Sequence, residues 1–270
     1  MPSAPHPIVL SVAGHDPSGG AGIQADIEAI GAFDCHPATA ITCLTVQDSR
    51  NVSELIPVPP EQTRRQIETV LADYPVSAIK IGLIGTPEMA GMLGELISQY
   101  PDIPVVLDPV LAASGGTELS GDLLIERIVV DILPHTTLAT PNTAEARRLT
   151  GKETQALCAE HLLATGCKGV LITGADEAHH EVINTLYQPE MEPSTLEWPL
   201  LPESYHGSGC TLASSIAALL ARGAILEQAV SHAQEFTWQS LSRGWRPGKG
   251  QYLPLRTHSG NSSLWETLGK

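Results

Sequence analysis

The chain has 270 residues, of which 42% are hydrophobic and 4% aromatic, and its formal net charge is −15 at pH 7. This length and apolar content are enough for one large α/β domain with a mainly aliphatic core. The acidic balance argues against a surface for nucleic acid or an anionic membrane, because such surfaces carry clustered lysine and arginine, and no stretch reaches the roughly 20 apolar residues of a membrane span.

Apolar stretches of strand length alternate with helical patterns. Strands are predicted over 7–14, 37–47, 77–85, 104–110, 137–142 and 169–174, with a short hairpin over 181–200. Helices are predicted over 21–34, 60–74, 87–100, 121–133, 143–151, 211–221 and 225–241. This alternation implies a mainly parallel sheet covered by helices on both faces. We predict a single domain over 1–270, with its core at about 8–241 and a tail at 243–270 that is loop-rich or partly mobile.

The segment HGSGCTLASSIAALLARG, residues 206–223, joins a glycine turn to a predicted helix. Gly207 and Gly209 lack a Cβ atom, so the backbone can turn sharply and approach a ligand closely. The N–H groups of 208–211 then lie at a helix start, where they and the helix dipole bind negative charge. The same field favours a thiolate, which predicts a lowered pKa for Cys210. The alternative is that Cys210 is a small buried residue beside a capping turn.

The segment AGHDPSGGAGIQAD, residues 13–26, places a glycine-rich turn between a strand and a helix. Its glycines do not follow the G-x-G-x-x-G spacing of dinucleotide-binding folds, and the chain has no G-x-x-x-x-G-K-[ST] phosphate loop. The turn therefore predicts only that a small ligand contacts the backbone here. Asp26 is either an acceptor for a ligand hydroxyl or a solvated helix charge.

Oxygen-bearing side chains follow two further strands. Asn142 and Glu145, in TPNTAEA, are placed so that they can hold Mg²⁺ through water. The same spacing is typical of a helix cap, with Asn142 or Thr143 as the cap and Glu145 in the first turn, and the two roles are compatible. Asp108 is another oxygen candidate, although Asp-Pro also starts turns.

The five cysteines are odd in number and are never spaced as C-x-x-C. This pattern argues against a disulfide framework or a zinc ribbon and favours a cytoplasmic location. The N-terminal residues also lack the pattern of a signal peptide. A nucleophilic pair of Cys210 with His206 is a weaker alternative, because no protease-like cysteine signature surrounds Cys210.

Six segments in chain order resemble the ribokinase-like superfamily and, more narrowly, the bacterial hydroxymethylpyrimidine/phosphomethylpyrimidine kinases of thiamine synthesis. They are AGHDPSGGAGIQAD, ITCLTVQDSRNV, IKIGLIG, VVLDPV, TPNTAEARRLTG and HGSGCTLASSIAALLARG, which span about residues 8–241. The first and the last are the most specific. The resemblance implies a three-layer α/β/α fold with a mainly parallel central sheet. It also implies phosphoryl transfer from MgATP to the hydroxymethyl group of a pyrimidine, and then to the resulting monophosphate.

The resemblance also implies roles for individual residues. The catalytic group is Gly207, Ser208, Gly209 and Cys210. The substrate residues are Gly14, Asp26, Gln47, Leu83 and Val110. The carboxamide of Gln47 matches an aminopyrimidine edge, since it both donates and accepts hydrogen bonds. ATP is assigned to Asn142, Glu145 and Thr173, and Mg²⁺ to Asp108 and Glu145 through water. Cys210 either takes the proton of the alcohol or positions the hydroxyl while the phosphate accepts that proton.

The chain departs from the family pattern at three positions. Ser114 stands near the place of a common flap lysine, and Thr173 stands where a lysine is common in a K-G-G pattern. His15 replaces the more usual small hydroxyl residue. Neutralisation of the phosphates is therefore left to Lys80, Arg147 or a residue from another segment.

Two alternative functions and a homodimeric state are also considered. A pyridoxine or pyridoxal kinase is the nearest alternative, since a related branch shares the cysteine turn. A non-catalytic pyrimidine sensor is the alternative outside enzymes: the missing lysines favour it, whereas the intact GSGCT and TPNTAEA segments oppose it. Dimers are frequent in this branch, so the resemblance also implies a homodimer.

Overall fold

In the computed structural model, the described residues are 6–112, 116, 119–175 and 180–257. The strands are β1 Ile8–His15, β2 His36–Gln47, β3 Val52–Pro57, β4 Val76–Ile81, β5 Val105–Leu107, β6 Leu138–Ala139, β7 Val170–Thr173, β8 Glu181–Tyr187 and β9 Ser194–Pro199. The helices are α1 Gly22–Gly31, α2 Pro60–Asp73, α3 Pro87–Ile97, α4 Asp122–Arg127, α5 Thr143–Thr150, α6 Gln155–Ala164, α7 Ser208–Ala221 and α8 Leu226–Ser242. A π-helical turn at Ile128–Ile132 and a 3₁₀ turn at Leu133–His135 extend α4.

These strands form one sheet in the order β3-β2-β1-β4-β5-β6-β7-β8-β9. The six strands from β2 to β7 in this order pair in parallel, whereas β3, β8 and β9 are antiparallel to their neighbours. The chain leaves β1 for β2 on one side and later returns to β4 on the other. Ligands of such sheets bind beyond the carboxyl ends of the strands at this reversal. The topology therefore places a ligand site where β1, β2 and β4 end.

Alternating side chains of the central strands divide the core into two layers. The residues that pack with α1, α7 and α8 are Val9, Ala78, Val106, Leu138 and Leu171. Their chain neighbours on the opposite face, which pack with α2 to α6, are Leu10, Ile79, Leu107, Ala139 and Ile172. Successive residues of a strand point to opposite faces, and both faces here are apolar because helices cover them. The predicted three-layer α/β/α fold is confirmed, and the assignment of 1–270 to a single domain stays a prediction.

Two elements, β3 and α6, have no counterpart among the predicted ones. β3 is an edge strand that ends in the proline-rich run Pro57–Pro60, which disguises its strand pattern. α6 buries Cys158 and Leu162 but leaves Leu157 48% exposed, so its apolar residues do not lie on one face. Periodicity alone does not separate such a segment from a loop.

The C-terminal tail is irregular as predicted, but part of it packs against the fold. The N–H of Tyr252 donates to the carbonyl of Ser204 at 2.8 Å, and the N–H of His206 donates to the carbonyl of Tyr252 at 2.9 Å. Leu253 and Arg256 are buried. This part of the tail is therefore packed against the fold, while 258–270 lie outside the described residues.

All five cysteines fall within the described ranges, and each is a free, buried thiol. Cys35, Cys158 and Cys167 lie in the two core layers. Cys43 lies in β2 beside Gly14, and Cys210 lies at the start of α7. None of the helices in the described part of the chain has the length and hydropathy of a membrane span.

Candidate active site

The carboxyl ends of β1, β2 and β4 bring three predicted substrate residues to one end of the sheet. A Cβ atom built on Gly14 would lie 3.1 Å from Cδ2 of Leu83 and 2.9 Å from Sγ of Cys43. A side chain here would press on Cys43 in β2 and on Leu83 in the loop after β4, so the close packing favours glycine. Gln47 is half-buried at the end of β2, where its Nε2 donates to Oγ1 of Thr45 at 2.8 Å. Leu83 is half-buried as well and lies at the same end of the sheet, where it is predicted to contact the substrate.

Asp16 closes the glycine-rich loop between β1 and α1. Its Oδ1 accepts the N–H of Ser18 at 2.8 Å, and its Oδ2 accepts the N–H of Ala21 at 2.7 Å and lies 2.9 Å from Nε2 of His206. Burial alone would raise the pKa of Asp16, but the hydrogen bonds with His206, Ser18 and Ala21 hold it below its ordinary value. His206 thus joins the loop to the segment before α7, and the hypothesis of a nucleophilic pair with Cys210 gains no support.

Gly207 starts α7 in a conformation that favours glycine. Its φ is +83°, and a Cβ atom there would collide with the carbonyl oxygen of Gly20 and lie 2.8 Å from Nη2 of Arg256. The glycine loop and the C-terminal tail therefore both pack directly against this turn. With this sharp turn, α7 begins at Ser208, whereas the sequence predicts a start at 211.

This earlier start corrects the predicted set of amides that bind an anion. The N–H of Thr211 donates to the carbonyl of Gly207 at 3.0 Å, which is the first bond of the helix. The amides of Ser208, Gly209 and Cys210 precede it and have no partner inside the helix. These three N–H groups, together with the helix dipole, form the candidate anion hole.

Lys80 lies beneath this turn with no exposed surface. Its Nζ is 2.9 and 3.1 Å from the two carboxylate oxygens of Asp26 and 3.8 Å from Oδ2 of Asp108. The hydroxyls of Ser11 and Ser214 each donate to Asp26 at 2.6 Å. Both oxygens of Asp26 are thus used internally, so its interpretation as a solvated helix charge is wrong. Lys80 is equally enclosed and is paired with Asp26, and the expectation that it neutralises phosphates stays a prediction.

Cys210 is buried among Asp108, Lys80, Asp26 and the backbone N–H of Gly22. Burial raises the pKa of the Cys210 thiol well above its ordinary value. Lys80 and the Gly22 amide oppose this rise, whereas Asp108 and Asp26 add to it. The predicted lowering of this pKa is therefore wrong, because loss of hydration outweighs the field of the helix start. Cys210 is a neutral thiol at neutral pH.

Asp108 follows β5 and lies under the first turn of α7. A Cβ atom on Gly209 would lie 3.5 Å from its Oδ1, and its side chain is hydrogen-bonded to Cys210. Its Oδ2 is buried and has no hydrogen-bond partner among the described residues. Burial raises the pKa of Asp108, which Lys80 and Cys210 oppose. Asp108 also starts a turn, since its carbonyl accepts the N–H of the half-buried Val110 at 2.9 Å.

Asn142 and Glu145 form a reciprocal cap at the start of α5. Oδ1 of Asn142 accepts the N–H of Glu145 at 2.8 Å, and Oε2 of Glu145 accepts the N–H of Asn142 at 3.0 Å. Oε1 of Glu145 accepts the N–H of Leu111 at 3.4 Å, which joins α5 to the loop after β5. Thr173 lies beside them through a bridge to Asn142. The capping interpretation is confirmed, and the assignment of these three residues to ATP stays a prediction.

The residues assigned to Mg²⁺ fit a cation that arrives with ATP better than a resident one. Within the described part, no three His, Cys, Asp or Glu side chains are grouped so that they could hold a metal ion. Asp108 and Glu145 are nevertheless carboxylates, the groups that suit Mg²⁺ and its water ligands. Asp108 and Glu145 therefore stay the predicted contacts of a magnesium–nucleotide substrate.

The replacement of the family's usual lysines by Lys80 or Arg147 stays a prediction. Ser114, at the flap position, lies outside the described residues. Arg147 directs its Nε to the carbonyl of Glu153 at 2.8 Å. A cation that the sequence did not indicate is Arg256, which is buried against Gly207 and Gly20. A signal was present for Lys80, since a lysine inside an apolar strand needs a buried partner, but none was present for Arg256.

Comparison with known proteins decides the family. The profile of the family described as phosphomethylpyrimidine kinase matches residues 16–255. This chain belongs to that family. It is 36% identical to the hydroxymethylpyrimidine/phosphomethylpyrimidine kinase of Streptomyces coelicolor over 92% of this chain and 94% of the relative. It is 31% identical to the enzyme of the same name from Aquifex aeolicus over 90% of this chain and 97% of the relative.

Comparison with a solved structure shows that the fold is ribokinase-like. The pyridoxal kinase from Staphylococcus aureus, in complex with pyridoxal, aligns with a TM-score of 0.85 and 28% identity over 93% of each chain. Membership of the phosphomethylpyrimidine kinase family and this likeness confirm the resemblance inferred from the six segments. The chain is a kinase.

Proposed function

We propose that this kinase transfers a phosphoryl group from MgATP to 4-amino-5-hydroxymethyl-2-methylpyrimidine, and then a second one to the monophosphate, in thiamine synthesis. The observation that carries the proposal is the anion hole of Ser208, Gly209 and Cys210, which lies above Asp108. The glycine loop joins it through Gly20. Three amides at a helix start suit a transferring phosphoryl group, and family membership supplies the pyrimidine.

In the proposed reaction, the hydroxyl oxygen of the pyrimidine attacks the γ-phosphorus of ATP. A new O–P bond forms, the bond from the γ-phosphorus to the bridging oxygen breaks, and ADP leaves with that electron pair. The amides of Ser208, Gly209 and Cys210 stabilise the charge of the transferring group, since charge stabilisation and alignment supply most of the catalysis in such reactions. Mg²⁺ enters as part of the substrate, with Asp108 and Glu145 as its contacts through water.

Cys210 has the properties of a positioning group more than of a base. Burial raises the pKa of its thiol, so the thiolate that a base needs is scarce at neutral pH. We propose that the neutral thiol orients the hydroxyl of the substrate and that the proton leaves with the transferred phosphoryl group. In this scheme Asp26 and Lys80 hold Cys210 and Asp108 in place from below and do not contact the pyrimidine.

Pyridoxal is the second candidate acceptor. The likeness to the Staphylococcus aureus pyridoxal kinase extends over 93% of the chain, and that protein holds pyridoxal. Both rings offer a similar polar edge to the carboxamide of Gln47. We favour the pyrimidine because the family profile and the curated relatives carry that name.

The test is a coupled assay of ADP release with the pyrimidine alcohol, its monophosphate and pyridoxal as separate acceptors. We expect turnover with both pyrimidines, and a higher kcat/KM for the pyrimidine alcohol than for pyridoxal. Dominant turnover of pyridoxal would replace the first proposal by the second. Pyrimidine binding without ADP release, measured calorimetrically, would identify a sensor. Turnover of the alcohol alone would remove the second transfer from the proposal.

The Cys210→Ala variant separates the two roles of the thiol in the same assay. A general base contributes about 100-fold or more, whereas loss of one positioning contact costs on the order of 10-fold. We expect the smaller loss. A loss above 100-fold with an unchanged melting temperature would contradict the positioning role.

We also propose that the kinase is a homodimer joined through the hairpin of β2 and β3. Leu44, Val46 and Ile56 lie on one face of this hairpin and are 42, 48 and 42% exposed. An exposed apolar face of this kind, next to an edge strand, is suited to a second copy. In sedimentation experiments, the wild type should be a dimer and Val46→Lys a monomer. Leu123→Lys, at an exposed site on α4, is the matched control and should stay dimeric.

A cytoplasmic location completes the proposal. Five free, buried thiols fit a reducing compartment, because disulfides are used mainly in oxidising ones. The cytoplasm also holds the ATP that the reaction consumes.

A further inference from the structure

The C-terminal segment of residues 252–256 packs against the start of α7. Its backbone is held at both ends: the N–H of Tyr252 donates to the carbonyl of Ser204 at 2.8 Å, and the N–H of Leu255 donates to the carbonyl of Ser240 at 2.9 Å. Arg256, the next residue, is 1% exposed and is among the largest fully buried side chains of the protein. Burying so large a charged side chain is costly, which makes its contacts informative.

The guanidinium of Arg256 joins three elements around the anion hole. Its Nε donates to Oγ1 of Thr211 in the first turn of α7 at 2.8 Å. Its Nη2 donates to the carbonyl of Gly20 in the glycine loop. Its Nη1 donates to Oε2 of Glu28 in α1 at 3.1 Å. The planar guanidinium therefore fixes the glycine loop relative to α7.

The charge of Arg256 is only partly compensated. Its one carboxylate partner, among the described residues, is Glu28, whose side chain is 43% exposed and so is screened by water. The other two acceptors, a hydroxyl and a carbonyl, are neutral. A Cβ atom on Gly207 would lie 2.8 Å from Nη2, so positive charge abuts the turn that begins the anion hole. In a buried setting such a charge acts over longer distances than at the surface.

We propose that Arg256 is a positioning residue for phosphoryl transfer: it fixes the anion hole and supplies the positive charge that the family's usual lysines would give. The proposal rests on the proposed function. Arg256 acts through Gly20, Gly207 and Thr211 and does not itself contact the nucleotide. Arg256 lies in the tail, outside the six segments that carry the family pattern.

The test compares Arg256→Gln and Arg256→Lys with two control variants. Displacement of catalytic groups by about 1 Å costs on the order of 100-fold in rate. We expect Arg256→Gln to lower kcat by about 10- to 100-fold while the KM for the pyrimidine changes less than about threefold. Arg256→Lys keeps the positive charge but lacks the planar guanidinium with its several donors, so its kcat should lie between those of Arg256→Gln and the wild type.

Arg222, which is exposed, provides the control for the loss of an arginine bond to the backbone. It lies at the other end of α7 and donates to the carbonyl of Phe33 at 3.1 Å, so its replacement also removes an arginine bond to the backbone. Arg222→Gln and Arg222→Lys should keep kcat within about twofold of the wild type. All variants are assayed well below their own melting temperatures. A structural role alone would make kcat follow stability equally at both positions.

The outcomes separate the inference from the proposed function. If the wild type releases no ADP with any acceptor, the proposed function fails, and the inference fails with it. If the wild type is active but folded Arg256→Gln keeps its kcat, only the inference is overturned. If Arg256→Gln does not fold, the test rests on Arg256→Lys and Arg222→Lys. A loss of kcat above about fivefold for Arg256→Lys but not for Arg222→Lys supports the inference, and equal kcat values for the two variants overturn it.

Discussion

Replacing Lys80 by methionine is expected to lower the free energy of unfolding by about 3–5 kcal/mol, the usual cost of removing one partner of a buried ion pair. The carboxylate of Asp26 would lose a cation 2.9 Å from its Oδ1 and would keep only the two serine hydroxyls. Asp108 would lose the same cation at 3.8 Å. Neither carboxylate has water to replace Lys80, since both are buried. Urea unfolding with linear extrapolation measures the loss.

The pH dependence of this loss has a defined sign. Burial raises the pKa of Asp108, and Lys80 opposes that rise, so its removal raises the folded-state pKa of Asp108 further above the unfolded value. A group whose pKa is higher in the folded than in the unfolded state stabilises the protein at pH values below its unfolded-state pKa. This stabilisation disappears as the pH rises through the folded-state pKa. The deficit of Lys80→Met against the wild type should therefore be smaller at about pH 5 than at about pH 8.

The Lys80 experiment has two controls, a single variant at an exposed lysine and a double variant at the buried pair. Lys168 is exposed, and Lys168→Met should change stability by less than about 0.5 kcal/mol. Adding Asp26→Asn to Lys80→Met neutralises the stranded carboxylate and keeps polar atoms facing Ser11 and Ser214, so the double variant should be more stable than Lys80→Met alone. A single variant within about 1 kcal/mol of the wild type, or a double variant that recovers nothing, would contradict the buried pair.

Replacing Gly207 by alanine is expected to lower kcat by on the order of 100-fold or more. The new Cβ atom would collide with the carbonyl oxygen of Gly20 and lie 2.8 Å from Nη2 of Arg256, so the glycine loop and the first turn of α7 must separate. The amides of Ser208 and Gly209 would move with that turn. The coupled assay of ADP release, with the pyrimidine alcohol as acceptor, measures the effect.

The matched control for Gly207 lies at the other end of the same helix. Gly223 has a φ of +88°, close to the +83° of Gly207, but a Cβ atom there would have no other atom within 4 Å. Gly223→Ala therefore carries the cost of a left-handed residue, about 1–2 kcal/mol of stability, without the collision. It should keep the wild-type kcat. Equal activities of Gly207→Ala and Gly223→Ala would show that the close packing at Gly207 does not hold the site.

The sequence predicted the layers of the fold because hydrophobic periodicity follows from strand and helix geometry. The parallel strands and their covering helices appear near their predicted positions, with ends shifted by a few residues. The failures were local. An edge strand next to prolines, β3, and a helix without one apolar face, α6, lack the pattern on which such predictions depend.

The candidate site was predicted unevenly for a physical reason. The glycines and Cys210 could be found because each belongs to a compact motif at the end of a strand or the start of a helix. The partners of Asp26 could not, since Lys80 and Ser214 are 54 and 188 residues away along the chain. The pKa of Cys210 was predicted in the wrong direction because burial, which raises it, is a property of the folded chain.

By itself, the sequence determined the three-layer fold, the resemblance to a kinase family and the glycine turns at which a phosphate can bind, because these depend on residue type and short spacing. Only the tertiary structure decided the charges beneath those turns. It enclosed Lys80 and Asp26, kept Cys210 a neutral thiol, and brought Arg256 from the tail to Gly207. Contacts between distant segments set burial and charge pairing, and no local pattern encodes them.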